Sequence, residues 1–305
     1  MEITRSTSFP ATASALQQSD EYARAVTHLG GDAEAYVAHD QDHPIARVQI
    51  VKRRFGPLPV FWVPRGPVWA QSPCPDTRAR LWRVLPQIAG HGMWIVAPDS
   101  ADDLAAIRHT QLMSPQHVAE IDLTADDGTR LSRQHVKWRN RLRHAQNTGL
   151  QVAHRRFDPL RDQTVLIREA TQQRKHRYRG LPPAFVLAWA QTNRSASRLF
   201  TVSHEGKAVA HMLLLLHRPV VTYHIGWSGM VGRRHSAHNL ALWAASQWLH
   251  RKGFARLDLG SVDTEHAPGL ARFKIGSGAT VRPLGATSLH LPHLSRRRLI
   301  RHDAA

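Results

Sequence analysis

The stretch from Tyr223 to Gly278 decides the fold, and it reads YHIGWSGMVGRRHSAHNLALWAASQWLHRKGFARLDLGSVDTEHAPGLARFKIGSG. It predicts the end of a strand, a basic turn, an amphipathic helix over 236–251, a strand over 256–259 and a loop that ends in Lys274. Gly253 marks the turn between the helix and the second strand. This order indicates a site assembled between two strands and the N-terminus of a helix.

The sequence on either side of this stretch continues the alternation of strands and helices. Period-two and short apolar runs predict strands over 47–55, 58–64, 93–97, 118–123, 150–157, 199–204, 208–217, 220–227 and 280–291. Helical spacing predicts helices over 21–29, 77–89, 131–147, 161–175 and 184–192. In each half a tryptophan-bearing helix ends at a glycine and leads into a short strand, which points to a duplicated unit.

The fold class that this pattern predicts is α/β, an α+β arrangement with a mixed sheet, because hairpin turns join several consecutive strands. We divide the chain into a loose N-terminal lead-in over 1–18, a first half over 19–149 and a second half over 150–305 that carries the main site.

The composition favours a globular protein with an anionic partner. The chain of 305 residues has 41 Lys and Arg against 23 Asp and Glu, a formal charge of +18. Such a charge favours nucleic acid, an acidic membrane surface or a phosphorylated substrate, although an arginine-rich genome would produce the same excess. Cys74 is the only cysteine, which excludes an internal disulfide and a cysteine-rich zinc site. The longest apolar run, 209–216, is too short to span a bilayer, and the expected location is the cytoplasm.

The helix predicted over 131–147 is strongly basic. Apolar residues recur on one face at helical spacing, and Arg or Lys covers the remainder. Two interpretations stay open, an ordinary solvated face and a surface that meets phosphates.

The basic turn before the helix at Ser236 is a candidate receptor for phosphates. Arg233, Arg234 and His235 precede a helix N-terminus, whose free N–H groups and positive dipole end favour anions. Acetyltransferases of the GNAT superfamily hold the pyrophosphate of acyl-CoA at such a turn, with the consensus Gln/Arg-x-x-Gly-x-Gly/Ala. This sequence lacks the glycine there. The plainer alternative is that Ser236 is a helix N-cap after a basic loop.

Lys274 is the strongest candidate for a catalytic cation. It stands between Phe273 and Ile275 and just before a glycine, so the chain can hold it rigidly near backbone. A fixed ammonium group stabilises an oxyanion or binds phosphate. Tyr223, His224, Asp258 and Asp263 are candidates for proton transfer or acceptor binding, each with a structural role as the alternative. We expect no metal site, because the pairs His235–His238 and His290–His293 have no third ligand nearby.

Five motifs in order resemble the FemAB family of peptidoglycan-bridge aminoacyltransferases, which are built from two GNAT-like halves. They are RGPV (65–68), IVAPDS (95–100), KWRNRLRHAQNTGLQV (137–152), YHIGWSG (223–229) and GLARFKIGSG (269–278). The resemblance covers about 58–291. It implies two tandem GNAT-like acyltransferase subdomains. It also implies transfer of an aminoacyl group from aminoacyl-tRNA to an amine of a peptidoglycan precursor, and it places the family's important lysine at Lys274.

The resemblance and the residues together give one predicted site. Its catalytic residues are Lys274, Tyr223 and Asp263, and its donor-binding or substrate-binding residues are Arg233, Arg234, Ser236, Asn239, Arg65 and Phe273. We expect direct transfer with no covalent intermediate and no tightly bound cofactor. The expected partners are tRNA and the precursor, with peripheral contact at the inner membrane and no stable protein partner. The long helical hairpin of classical members is missing, so the donor also stays open to acyl-CoA, with a small amine or a lipid as acceptor. A non-catalytic RNA-binding protein is a third alternative, which the shortage of interleaved aromatic residues disfavours.

Overall fold

The computed structural model describes residues 1–10, 12–105, 107–176 and 180–292. They form two compact units, of which the first contains Met1–Gln116 and the segment that begins at Pro283, and the second contains His117–Arg282. The division differs from the predicted boundary at 149/150. The segment 117–149 contributes a strand and two helices to the second unit, and the chain returns to the first unit after 282.

The described residues contain fifteen strands and ten helices. The strands are β1 (Glu2–Arg5), β2 (Asp32–Asp40), β3 (His43–Phe55), β4 (Leu58–Pro64), β5 (Val68–Trp69), β6 (Met93–Ala97), β7 (Thr110–Met113), β8 (His117–Asp122), β9 (Gln151–Arg155), β10 (Ser197–His204), β11 (Lys207–His217), β12 (Val220–Ser228), β13 (Arg256–Val262), β14 (Thr280–Pro283) and β15 (Thr287–His290). The helices are α1 (Asp20–His28), α2 (Pro75–Ala89), α3 (Asp102–Ala105), α4 (Asp127–Arg133), α5 (Val136–Gln146), α6 (Gln163–His176), α7 (Pro183–Thr192), α8 (Met230–Arg234), α9 (Ala237–Arg251) and α10 (Pro268–Gly276).

The first unit is built on a mixed sheet in the order β1-β2-β3-β4-β6-β15-β7, with β5 paired to β3. Its parallel pair is β4 and β6, which α2 connects. Trp82 of α2 and Trp94 of β6 lie fully buried in its core. The segment 1–18, predicted to be a loose lead-in, instead supplies the edge strand β1 and a 3-10 turn over Leu16–Gln18.

The second unit is built on a sheet in the order β14-β8-β13-β12-β11-β10-β9. Alternate side chains leave the two faces of each strand, and helices cover both faces. On one face α5 and α9 pack on residues such as Met212 and Leu257, and on the other α6 and α7 pack on residues such as Leu213 and Ile225. The parallel pair here is β12 and β13, connected by α9.

Three local predictions are corrected by the structure. The basic helix over 131–147 is two helices, because the chain turns at Gln134 and His135, and Arg139 donates from Nη1 to the carbonyl of Gln134 at the end of α4, 2.9 Å away. The strand over 280–291 is two strands, β14 and β15, in different sheets. Lys274 lies on α10 and not in a loop.

Candidate active site

The two parallel strands of the second unit separate soon after they begin to pair. Val220, Val221 and Thr222 of β12 are in register with Arg256, Leu257 and Asp258 of β13, and no later residues of these strands pair with each other in the described sheet. Both strands continue beyond this point, to Ser228 and Val262. The two strand ends therefore diverge, and we call the opening between them the split.

Each strand carries an irregularity where the split begins. In β12, His224 has no partner on β11, because Leu213 is paired with Ile225 and Leu214 with Tyr223. In β13, the two residues Leu259 and Gly260 stand opposite the one residue between the partners of Asp258 and Ser261, and Gly260 has φ +77°. Such bulges bend a strand and redirect its side chains, so the split is a consequence of the backbone on both sides.

Tyr223 lies at the start of the split, against the first turn of α9. Its hydroxyl forms a hydrogen bond of 3.0 Å with Nε2 of His238. A Cβ on Gly226 would overlap this hydroxyl and would lie 2.8 Å from His238 Nε2, so only glycine leaves room for the pair. Burial lowers the pKa of His238 to about 4, and the imidazole is neutral at pH 7.

Phe273 brings α10 to the same place. Its ring meets the His238 ring edge-to-face at 5.5 Å between centroids. Its carbonyl accepts a hydrogen bond of 3.1 Å from Nε1 of Trp138 on α5. A Cβ on Gly276, one turn on, would lie 3.1 Å from the same indole, so only a glycine allows this close approach. These contacts fix the position of α10, and with it the residue that follows Phe273.

Lys274 is a buried cation, with 5% of its surface exposed. Its Nζ donates to the carbonyl of Ser261 on β13 over 2.7 Å. This is the hydrogen bond that the Lys274 side chain makes within the described residues. A Cβ on Gly260 would lie 3.7 Å from Nζ, so the bulge of β13 forms the floor beneath the ammonium group. Burial lowers the pKa of Lys274 to about 8, opposed by the negative charge of Asp258. The group is mostly charged at pH 7, and an ammonium has two further N–H donors to offer.

The basic turn forms a short helix of its own, α8, before α9 begins. Arg233 and Arg234 are exposed, and Arg233 donates from Nη1 to the carbonyl of Ser228. Ser236 does not cap α9 with its side chain, and it has φ 55° and ψ 36°, the left-handed conformation. This is the position of the first glycine in the Gln/Arg-x-x-Gly pattern counted from Arg233. The missing glycine is therefore replaced by a serine that adopts a conformation typical of glycine.

The remaining predicted site residues lie in different settings. Asp263 is exposed and accepts from the backbone N–H of Glu265 and of His266, and the His266 N–H is the main reason that the pKa of Asp263 is lowered. Asn239 is 94% buried (6% exposed) on α9, and its Nδ2 has no partner among the described residues. Arg65 belongs to the first unit, where its Nε donates to Asp99. The structure thus brings Tyr223 and Phe273 together through His238, with Lys274 next to Phe273 on α10.

Two members of this site escaped sequence reasoning. The sequence places His238 only in a metal-like pair, and Gly226 only within the strand predicted over 220–227. Their role depends on the bulge at His224, which no local pattern announces. As to metals, no group of three or more His, Cys, Asp or Glu side chains in the described ranges is arranged to hold an ion, and His293 lies outside those ranges. Among the helices described, none has the length and apolar character to cross a membrane.

Comparison with known proteins agrees with this fold. Residues 132–274 match the family described as acetyltransferase (GNAT) domain. The structure of FemX is similar over 98% of this chain and 100% of its own, with 14% identity and a TM-score of 0.77. The C-terminal domain (DUF2156) of a putative lysylphosphatidylglycerol synthetase from Agrobacterium fabrum is similar over 91% and 89%, with 16% identity and a TM-score of 0.53. A tandem GNAT protein from the clavulanic acid biosynthesis pathway is similar over 85% and 83%, with 12% identity and a TM-score of 0.50. Curated protein sequences give no match.

The fold and the matched domain define the class of the protein, which is an acyltransferase with two GNAT-like units. Over its full length the fold is similar to that of FemX, which agrees with the resemblance of the five sequence motifs to the FemAB family.

Proposed function

We propose that this protein transfers an aminoacyl group from aminoacyl-tRNA to an amine of a peptidoglycan precursor. The observation that carries the proposal is the split, which has a buried cation, Lys274, on α10 beside it and a Tyr223–His238 pair at its origin. The resemblance of the sequence to the FemAB family supplies the donor and acceptor classes.

The reaction proceeds by direct attack of the acceptor amine on the ester carbonyl of the donor. The new C–N bond forms as the carbonyl oxygen becomes an oxyanion, and the C–O bond to the ribose then breaks. The amine loses one proton and the ribose oxygen gains one, so no other reactant is needed. Lys274 donates a hydrogen bond to the oxyanion, and Tyr223 with His238 passes the proton.

A covalent intermediate has no role in this scheme. Cys74 is exposed in the first unit, at the N-cap of α2. Binding both substrates in register contributes much of the acceleration, because correct orientation alone supplies about 7–11 kcal/mol in well-aligned reactions.

The charge of the second unit supports tRNA as the donor. Lys137, Arg141 and Arg143 project from the exposed side of α5, and Arg233 and Arg234 from α8. Their positive charges attract a phosphate backbone, and binding of this kind weakens steeply at higher salt, because the release of condensed counterions then gains less entropy. We therefore expect the affinity for charged tRNA to fall sharply between 50 and 200 mM salt.

Replacing Lys274 tests the proposal. Lys274→Met keeps an unbranched side chain one atom shorter and removes the charge, and we expect transfer from charged tRNA to fall about 100- to 1,000-fold, the usual effect of losing one oxyanion donor. Lys207→Met, at an exposed site at the start of β11, is the matched control and should transfer normally. Full activity of Lys274→Met would remove the lysine from the mechanism.

The pH profile gives an independent reading of Lys274. The charged form is the one that donates to the oxyanion, and its pKa is lowered to about 8 by burial. The transfer rate should therefore decline as pH rises through about 8, and this alkaline limb should be missing from the residual rate of Lys274→Met. A profile that is flat to pH 10 would contradict the role of the ammonium.

A second candidate donor is an acyl-CoA. The specific observation in its favour is Ser236, which takes the backbone conformation of the phosphate-binding glycine beside Arg233 at the start of α9. Assays with charged tRNA and with acyl-CoA in parallel, using muropeptide precursors, a small amine and a lipid as acceptors, separate the two. Transfer from acyl-CoA alone would exclude the tRNA donor.

A further inference from the structure

A second cluster of polar side chains lies on the other face of the same sheet, over its end near the split. Thr201, His211 and Trp227 are cross-strand neighbours in a row across β10, β11 and β12. Each stands two residues from a member of the core under α6, namely Leu199, Leu213 and Ile225. Because side chains alternate along a strand, the row lies on the face that α6 covers.

Arg168 of α6 lies on this row in a fixed orientation. The centre of its guanidinium is 3.8 Å from the centroid of the Trp227 ring, and its Nη1 donates to Nε2 of His211 over 2.9 Å. His211 in turn bonds the Thr201 hydroxyl through Nδ1 at 3.2 Å, and its ring stacks on Trp227. An arginine that is stacked and hydrogen-bonded in this way presents its remaining N–H groups in one plane.

The charge of Arg168 has no acidic partner among the described residues. His211 is buried and neutral, since burial and the nearby guanidinium lower its pKa to about 4. The neighbouring Asp162 is already paired with Arg155. Arg168 is only partly buried and uses one of its five N–H donors on His211, which leaves further donors in the plane of the guanidinium.

The position of Arg168 connects it to the split. Gln172, one turn further along the same face of α6, donates from Nε2 to the carbonyl of Gly226 at 3.1 Å. Gly226 is the residue over which the Tyr223 hydroxyl lies. Arg168 therefore lies on the segment of α6 that contacts β12 where the split begins.

We propose that Arg168, held on Trp227 by His211, binds an acidic group of the amine acceptor, a carboxylate or a phosphate. A guanidinium edge matches both groups with two parallel hydrogen bonds. The acceptor is thereby defined as an amine that carries an acidic group. That this molecule accepts an acyl group rests on the proposed function, whereas its binding to Arg168 does not.

Calorimetric titration without any donor tests the proposal. The probes are a lysine-containing pentapeptide with a free C-terminal carboxylate, the same peptide as its C-terminal amide, and uridine diphosphate. The wild type should bind the carboxylate peptide more tightly than the amide, or should bind the diphosphate, and the preferred probe identifies the group. Arg168→Gln should weaken the affinity for the preferred probe at least 10-fold, and Arg168→Lys should weaken it less. The affinity for the amide peptide should be the same in the wild type and in both variants.

Arg161→Ala is the matched control, because it removes an exposed positive charge just before α6 without touching the row. It should bind like the wild type. Unchanged binding by a folded Arg168→Gln, or a wild type that binds neither acidic probe, would overturn the assignment. Since no acyl group is transferred here, a negative transfer assay would leave this result standing, and the two proposals fail separately.

Discussion

Both units contain a strand–helix–strand motif with parallel strands, β4–α2–β6 in the first and β12–α9–β13 in the second, and the two motifs differ in how far the strands pair. In the first unit the parallel strands pair over five positions, from Val60 with Met93 to Pro64 with Ala97. In the second unit the pairing stops after three, and bulges carry the strands apart. Equal topology therefore does not give equal chemistry. The closed pair is part of a packed sheet, whereas the open pair exposes backbone and side chains between its strands.

Each motif is followed by a buried charged residue, Asp103 in the first unit and Lys274 in the second, and the two have different partners. In the first unit Asp103, with 2% exposed, accepts from Trp69 Nε1 at 2.8 Å and pairs with Arg78 at 3.4 Å. In the second unit Lys274, with 5% exposed, donates to the carbonyl of Ser261, and the negative charge of Asp258 opposes the lowering of its pKa by burial. A buried charge that is paired with an opposite charge is neutralised in place, whereas one held by a carbonyl keeps N–H donors for a substrate.

Filling the split should have the largest effect. Gly226→Ala places a methyl group where the Tyr223 hydroxyl and His238 lie, and we expect transfer to fall at least 100-fold, because displacement by about 1 Å costs that much in aligned reactions. The measurement is the rate of aminoacyl transfer under saturating donor.

Gly269→Ala is the control for this substitution. It adds the same methyl group on α10, where nothing lies within 4 Å, and it should keep the wild-type rate. A normal rate in Gly226→Ala would show that the Tyr223–His238 pair does not contribute.

Breaking the compensated charge of the first unit should have the next largest effect. Asp103→Asn keeps the shape and removes the charge that faces Arg78, which we expect to lower the stability of the first unit by about 2 kcal/mol. Hydrogen exchange of the β6 amides measures this, with the β12 amides as the internal control. Equal loss of protection in both strands would mean that the charge does not act locally.

Acid should destabilise the second unit through its histidines. Burial lowers the pKa of His211, His224 and His238 to about 4, below the usual 6.5 of the unfolded chain. The unfolded state therefore binds more protons between these values, and stability is lost as pH falls from about 6.5 to 4. Each histidine contributes a slope of about 1.4 kcal/mol per pH unit.

His224→Phe removes the contribution of one histidine to this pH dependence. His224 already packs edge-to-face against Phe185, so an aromatic replacement fits its surroundings. Urea unfolding of the second unit, followed at residues of α9 and β12 at several pH values, measures the free energy of unfolding. This free energy should fall less steeply with acid in the variant than in the wild type. Identical slopes would mean that His224 is not neutral in the folded protein.

The smallest expected effect concerns Ser236. Ser236→Gly relieves a left-handed serine whose side chain does not cap α9, and we expect a gain of about 0.5–1 kcal/mol in the free energy of unfolding. Thermal unfolding measures it, with Ala237→Gly inside the first turn as the opposite control, expected to destabilise. A loss of stability in Ser236→Gly would indicate that the serine side chain makes an additional contact.

Most strands and helices were predictable because their signals are local. The hairpin from β10 to β11 follows from alternating apolar residues around Glu205–Gly206, and α9 from its amphipathic spacing. β2 was missed because its sequence DAEAYVAHD is rich in residues that disfavour strands, and pairing with β1 and β3 overrides that preference. α10 was missed because two glycines lower its helix propensity, while Ala271 and Lys274 are buried and hold it in place.

The site divides along the same line. Lys274 and the basic turn were found because they belong to short motifs. The Tyr223–His238 contact spans 15 residues and needs the bulge at His224 to aim it, so it follows only from the folded sheet. Lys137 and Arg141 keep an exposed basic face on α5, whereas Arg139 serves to end the helix before it, a distinction that charge counting does not make.

The return of the chain to the first unit has a consequence for biosynthesis. β15 lies between β6 and β7 and pairs with both, with Ser288 opposite Val96 and Gln111. A ribosome must therefore finish all of 117–282 before β15 is made and can pair with β6 on one side and β7 on the other. Until then β6 has an unpaired edge, which is the kind of surface that recruits other nascent chains. The second unit has its full sequence first, so the site is complete in the growing polypeptide before the sheet that was begun earlier.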